Sequence, residues 1–207
     1  MVGDEKEMNA LEKVSNLRHK AEEKIRAIQA DKDLTADAKA RRIAEIRGKT
    51  NPEVAKHRTA HSAETAERRA SLQRRLFGLS FKLTATESDK ELARMSYRDA
   101  LSRADGIKSP DDAQKAIFRA QRMGDGMLEK AVLNVAFERA WNSVLETYAA
   151  TDESFSETLQ ELQGLERRAA NRQIQFSESM AFSNIRETAE EIQARMVPAS
   201  ADSSKVA

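Results

Sequence analysis

SPDDAQKAIFRAQRMGDGMLEKAVLNVAFERAWNSVLETYA, residues 109–149, decides the fold. Ser109 and Pro110 supply a helix cap and a first-turn proline, and Asp111 and Asp112 place negative charge at the helix N-terminus. Ala113, Ala116, Ile117, Ala120 and Met123 then recur at three- and four-residue steps, the period of one helix face. Gly124-Asp125-Gly126 turns the chain into a second helix carrying Leu128, Ala131, Val132, Val135 and Ala136. A bend is expected near Trp141, after which Val144, Leu145 and Tyr148 continue the apolar surface. Two well-punctuated helices packed through small and branched residues read as all-α.

The flanking sequence extends this into a small helical bundle over residues 86–197. Upstream, Thr86 caps a helix to about Ala104 with Leu92, Met95 and Leu101 on the inner side, and Asp105-Gly106 stops it through a left-handed glycine. Downstream, Ser154 and Glu157 fit a capping box that starts a long C-terminal helix. Phe155, Leu159, Leu162, Ala169, Phe176 and Met180 trace its stripe, prolonged by Ile185, Ala189, Ile192 and Met196. Pro198 and the ending ASADSSKVA make residues 198–207 a flexible tail.

Towards the N-terminus, residues 1–76 read as an extended, coiled-coil-like helical arm. Its first helix runs from about Met8 to Ala30, with Leu11, Val14, Leu17, Ala21, Ile25 and Ile28 in one narrow stripe. After Asp31–Leu34, Thr35 caps a second helix to about Arg47, whose Ile43 and Ile46 meet the first in an αα-hairpin. Gly48 is expected to end that helix, and Asn51-Pro52 to start a third, polar one that reaches about Leu76. Leu11, Val14, Ile25 and Ile28 suit a partner helix, so self-association or docking is expected through the region before residue 76. Residues 77–85 form an apolar junction in which Phe77, Leu79, Phe81 and Leu83 alternate. Period two is also the signature of a strand, so β-addition to another chain stands beside a helix junction anchored by these four residues.

Composition narrows the function classes. Of 207 residues, 33% are charged and only 5% aromatic, with 7 Gly and 3 Pro, a balance that favours long helices and a thin core. A net charge of +1 lacks the global basic excess of a simple polyanion binder. The absence of cysteine excludes disulfides and thiolate zinc sites. MVGDEKEMNALEK has no apolar centre for a signal peptide, and no apolar run approaches the roughly 20 residues that span a bilayer. A cytosol-like compartment and no membrane partner are therefore expected. No phosphate-binding loop, dinucleotide fingerprint, nucleophile elbow or metal-ligand cluster occurs, which points away from catalysis, cofactors and small-molecule substrates.

Three groups of residues carry chemistry worth weighing. His57, His61 and Glu64 share a helix face, but Arg58, Thr59 and Ala60 replace the glutamate of a zinc-protease motif, so they read as ordinary surface residues. Arg68, Arg69, Arg74 and Arg75 form RRASLQRR, suited to phosphates, to an acidic partner surface or to ion pairs along the helix. Arg167, Arg168 and Arg172 repeat the pattern more weakly. Trp141 reads as packing rather than as a stacking platform for a ligand.

Two stretches carry a resemblance. Residues 21–28, AEEKIRAI, followed by DKDLTADAKARRIAEIR, resemble the N-terminal helical hairpin common among structural proteins of tailed bacteriophages. FRAQRMGDGMLEKAVLNVAFERAWNSVLETYA resembles a helix-turn-helix unit of small phage head-region proteins, and loosely a tetratricopeptide pair. The resemblance implies a non-enzymatic virion or head-assembly protein, scaffold-like, found in the virion or in host cytoplasm during assembly. Its implied partners are viral capsid or portal protein and further copies of itself, with nucleic acid secondary. Such scaffolds often end in a basic helix-turn-helix that binds the shell, whereas this sequence ends in ASADSSKVA.

Overall fold

The computed structural model describes residues 2–79, 81, 84–187 and 192, with side chains from residue 10 onward. Among them are eight helices and no strand: α1 Val2–Ala30, α2 Ala36–Phe77, α3 Glu87–Asp105, α4 Pro110–Met123, α5 Gly126–Glu138, α6 Asn142–Ala149, α7 Glu153–Ala170 and α8 Arg172–Ala181. The all-α reading holds. The division into parts does not follow the sequence boundaries after residues 76 and 85. One compact unit comprises residues 65–171, and the other joins residues 2–64 to the described residues from 172 onward.

In the 65–171 unit, α5 is the central element. Its sequence is apolar nearly all round, and Ala131, Val132, Leu133, Val135 and Ala136 are buried, as a core helix requires. Around it gather Ala100 and Ala104 of α3, Ala113 and Ile117 of α4, Val144 and Leu145 of α6, and Phe155, Leu159 and Leu162 of α7. The end of α2 joins the same core through Leu72, Leu76 and Phe77. Small residues on α3 and α4 let backbones approach closely, which is how a chain with few rings fills a core. The inner face of α3 is only partly the expected one: Leu101 packs on the core, but Leu92 and Met95 are 66% and 58% exposed, and Ala100, Ala104 and Tyr97 face inward.

Helix ends follow local chemistry. Thr86 and Asp89 form a reciprocal capping box, and the hydroxyl and backbone N–H of Thr86 hold the Asp89 carboxyl below its usual range. Ser109 caps α4 as expected. The left-handed glycine that closes a helix is Gly124 (φ 68°) after α4, where Asp125 N–H donates to Ala120 C=O at 2.9 Å. Gly106, in contrast, is right-handed (φ −70°). The α3 terminus is instead closed by Arg139, whose guanidinium donates to the carbonyls of Asp105 and Ile107. Helix α7 is capped two residues earlier than expected, because the Asp152 carboxylate, rather than Ser154, caps it by accepting the Phe155 N–H at 2.9 Å.

The bend near Trp141 separates α5 from α6. Trp141 N–H donates to Ala136 C=O at 2.8 Å, and Ala140 takes the left-handed conformation (φ 55°) that glycine normally occupies at such a cap. A Cβ there costs about 1–2 kcal/mol. Ala140→Gly should therefore stabilise the unit by about 0.5–1 kcal/mol once the extra freedom of unfolded glycine is deducted. Equal or lower stability in urea unfolding would contradict this local strain.

In the other unit α1 and α2 form the expected hairpin. Ile25 clusters with Ile43 and Val14 with Val54, an antiparallel pairing. Thr35 Oγ1 accepts from Ala38 N–H, and Lys39 Nζ reaches back to the Gln29 carbonyl at 2.9 Å, closing the turn. The expected break at Gly48 and new start at Asn51-Pro52 do not occur, because α2 runs through both. Proline removes one intrahelical bond and costs about 3 kcal/mol, and buried Thr50 and Val54 on this stretch provide packing that offsets the cost. Asn51, left uncapped by its own helix, bonds elsewhere.

The long C-terminal helix is also interrupted. Asn171 takes an extended conformation (φ −80°, ψ 109°), α8 ends at Ala181, and residues 183–187 are not helical. Ala189 and Met196 of the expected stripe, Leu83 of the junction, and the tail 198–207 lie outside the described residues. No helix among the described residues is long and apolar enough to cross a membrane.

Candidate interaction site

The stripe read as a partner-binding surface is covered within the chain. Val14 is buried against Val54 and Phe182, with Leu11 and Leu17 packed beside them. Ile25 and Ala21 are buried against Ile43 and Ile185, with Ile28 and Ile46 alongside. The cover is thus supplied partly by α2 and partly by residues 182–185. That short segment is fixed by polar contacts as well. Asn51 Oδ1 accepts the Ile185 N–H at 2.9 Å, and Asn51 Nδ2 donates to the Ile185 carbonyl at 3.5 Å. Arg18 Nη1 donates to the carbonyls of Met180 and Ala181 at 2.7 and 3.1 Å, closing the end of α8. The His61 ring lies 5.4 Å from that of Phe182 at 31°.

Sequence reading missed Asn51, Arg18 and Phe182 in these roles. Asn51 before Pro52 has the form of a helix cap, and only the non-helical backbone of Ile185 reveals its other use. Phe182 falls between the Met180 and Ile185 positions of an assumed continuous helix, so periodicity passed over it.

The four alternating residues of the junction part company. Phe77 is buried in the 65–171 core, 5.3 Å from the Phe137 ring and 6.4 Å from Phe155 in an edge-on contact. Tyr97 Oη donates to the Phe77 carbonyl at 2.6 Å, and Lys130 Nζ donates to that of Gly78 at 3.0 Å. Burial, and then the Glu138 charge, push the Tyr97 phenol above its usual range and keep it a donor. Leu79 is half-buried, and Phe81 is 39% exposed beneath the Arg94 guanidinium, 5.9 Å from its ring. Among the described residues of this run, only Phe77 is buried in the bundle core.

The basic segment is engaged by its own unit. Arg68 makes a forked contact with Glu161 of α7, Nε and Nη2 each bonding one carboxylate oxygen at 2.6 and 2.7 Å. Arg69 Nε lies 3.0 Å from Glu166 Oε1, within ion-pair range but without the alignment of a hydrogen bond. Arg74 pairs with Glu67 at 2.6 Å, and Arg75 donates to Ser154 Oγ at 3.2 Å. These pairs are partly exposed, so each contributes modestly. A double-mutant cycle of Arg68→Ala and Glu161→Ala should give a coupling of about 0.2–1 kcal/mol that shrinks in high salt. Zero coupling at low salt would mean the fork does not persist in solution.

Among the described residues no group of three or more His, Asp and Glu is arranged to hold a metal ion. No family model, curated protein or solved structure matches this chain.

Proposed function

We propose that this chain is a non-enzymatic structural or head-assembly protein of a tailed bacteriophage, binding capsid or portal protein, or further copies of itself, through its helices. The observation that carries the reading is the set of large apolar side chains left uncovered on otherwise polar helices: Leu92 and Met95 on α3, Phe118 and Met123 on α4, Phe176 and Met180 on α8. Large apolar side chains left in water gain free energy by burial against another protein. The resemblance of residues 21–47 and 118–149 to phage structural proteins supplies the biological setting, the virion or host cytoplasm during assembly. Helical hairpins and a small-residue bundle serve as docking elements and need no cofactor.

The alternative, a nucleic-acid-associated helical protein working through Arg68–Arg75, draws less support. Arg68, Arg69 and Arg74 already face carboxylates, and a phosphate would have to displace them. Mass spectrometry of purified virions and of their assembly intermediates is the test. The proposal expects this chain in one or both. Its absence from both, together with nucleic-acid binding that weakens steeply with salt, would replace the proposal by the alternative.

A further inference from the structure

Residues 182–185 occupy the N-terminal hairpin the way a bound peptide occupies a receptor, and we infer that the same slot, filled by this segment from a second copy of the chain, joins two chains by reciprocal exchange. The inference goes beyond the assembly reading and holds in any biological setting. It rests on how the segment is read. Phe182 enters one apolar pocket, formed by Val14 and Val54 with Leu11 and Leu17, and lies against the His61 ring. Three residues on, Ile185 enters a second, formed by Ala21, Ile25 and Ile43 with Ile28 and Ile46. Asn51 reads the peptide group itself, accepting from the N–H and donating to the C=O of Ile185. Arg18 fixes the approach through the carbonyls of Met180 and Ala181. The slot therefore specifies two apolar side chains at a three-residue spacing on a non-helical backbone, and the sequence that meets this is the chain's own.

Exchange is favoured by what carries the segment. Helix α8 buries no residue of its own, so the strap at its end supplies its buried anchoring. Asn171, which separates α7 from α8, has an extended backbone. Every contact made by residues 180–185 in one chain is reproduced when a partner's segment takes its place, so exchange is opposed mainly by the entropy of association. Phe176 and Met180, one turn apart on α8, are exposed among the described residues.

Sedimentation of the full chain from low micromolar to near-millimolar concentration tests this, together with cross-linking of a mixture of isotopically heavy and light protein. A dimer that grows with concentration is expected, with heavy–light links joining residues 182–187 of one copy to residues 10–61 of the other. The Phe182→Ser/Ile185→Ser variant, which leaves the segment without its anchors in either arrangement, should lose the dimer, whereas Asn51→Ala, which removes the same bonds from closed monomer and exchanged dimer, should leave the dimerisation constant within about twofold. A strictly monomeric chain at every concentration overturns the inference. So does a dimer that survives Phe182→Ser/Ile185→Ser, or one whose heavy–light links avoid residues 182–187.

Discussion

Phe77→Ala lowers the stability of the 65–171 unit by about 3–5 kcal/mol, whereas Phe81→Ala changes it by no more than about 0.5 kcal/mol. The two phenylalanines sit four residues apart in one alternating run and look equivalent in the sequence. They differ because the last turn of α2 carries Phe77 into the aromatic cluster with Phe137 and Phe155, while Phe81 lies past the helix end under Arg94. Truncating the first leaves a cavity beside α5, and truncating the second removes a ring already partly in water. Urea unfolding followed by the fluorescence of Trp141, which packs on this core, separates them. Equal losses would place Phe81 inside the bundle, and no loss at either position would make residues 77–81 a simple linker.

Val14→Asp has a comparable effect on the other unit. Val14 is wholly buried between Val54 and Phe182, with Leu11 and Leu17 beside it. Burying an unpaired charge costs more than about 4 kcal/mol or forces the site open. Residues 10–64 and 172–187 should lose amide protection while residues 65–171 keep theirs. Wild-type protection throughout would mean that the α1 stripe is open to solvent, as a surface reserved for a partner helix would be.

The fold class, the hairpin and most helix starts were legible because they depend on local signals. Periodicity at Ile25 and Ile43, the cap at Thr86 and the Ser109-Pro110 start act within a few residues of themselves. What was illegible depends on groups distant in sequence. Gly106 needed no left-handed turn because Arg139 closes α3 from another helix. Pro52 did not start a helix because packing at Thr50 and Val54 carries α2 through it. Arg68 and Arg69 could not be told from a phosphate-binding patch until Glu161 and Glu166 of α7 were seen opposite them. The stripe at Leu11, Val14, Ile25 and Ile28 reads in sequence as a surface for self-association or docking, and the sequence could not say that residues 182–185 join α2 in covering it.

Amide hydrogen exchange at Ile185 tests most directly whether that C-terminal segment closes the hairpin. Its N–H lies outside any helix, so the Asn51 carboxamide is its partner. Exchange at residues 183–186 should be slow in the native chain and should speed up on Asn51→Ala while residues 110–149 are unaffected. Exchange at Ile185 as fast as in an unstructured peptide, and indifferent to Asn51, would contradict the closed hairpin.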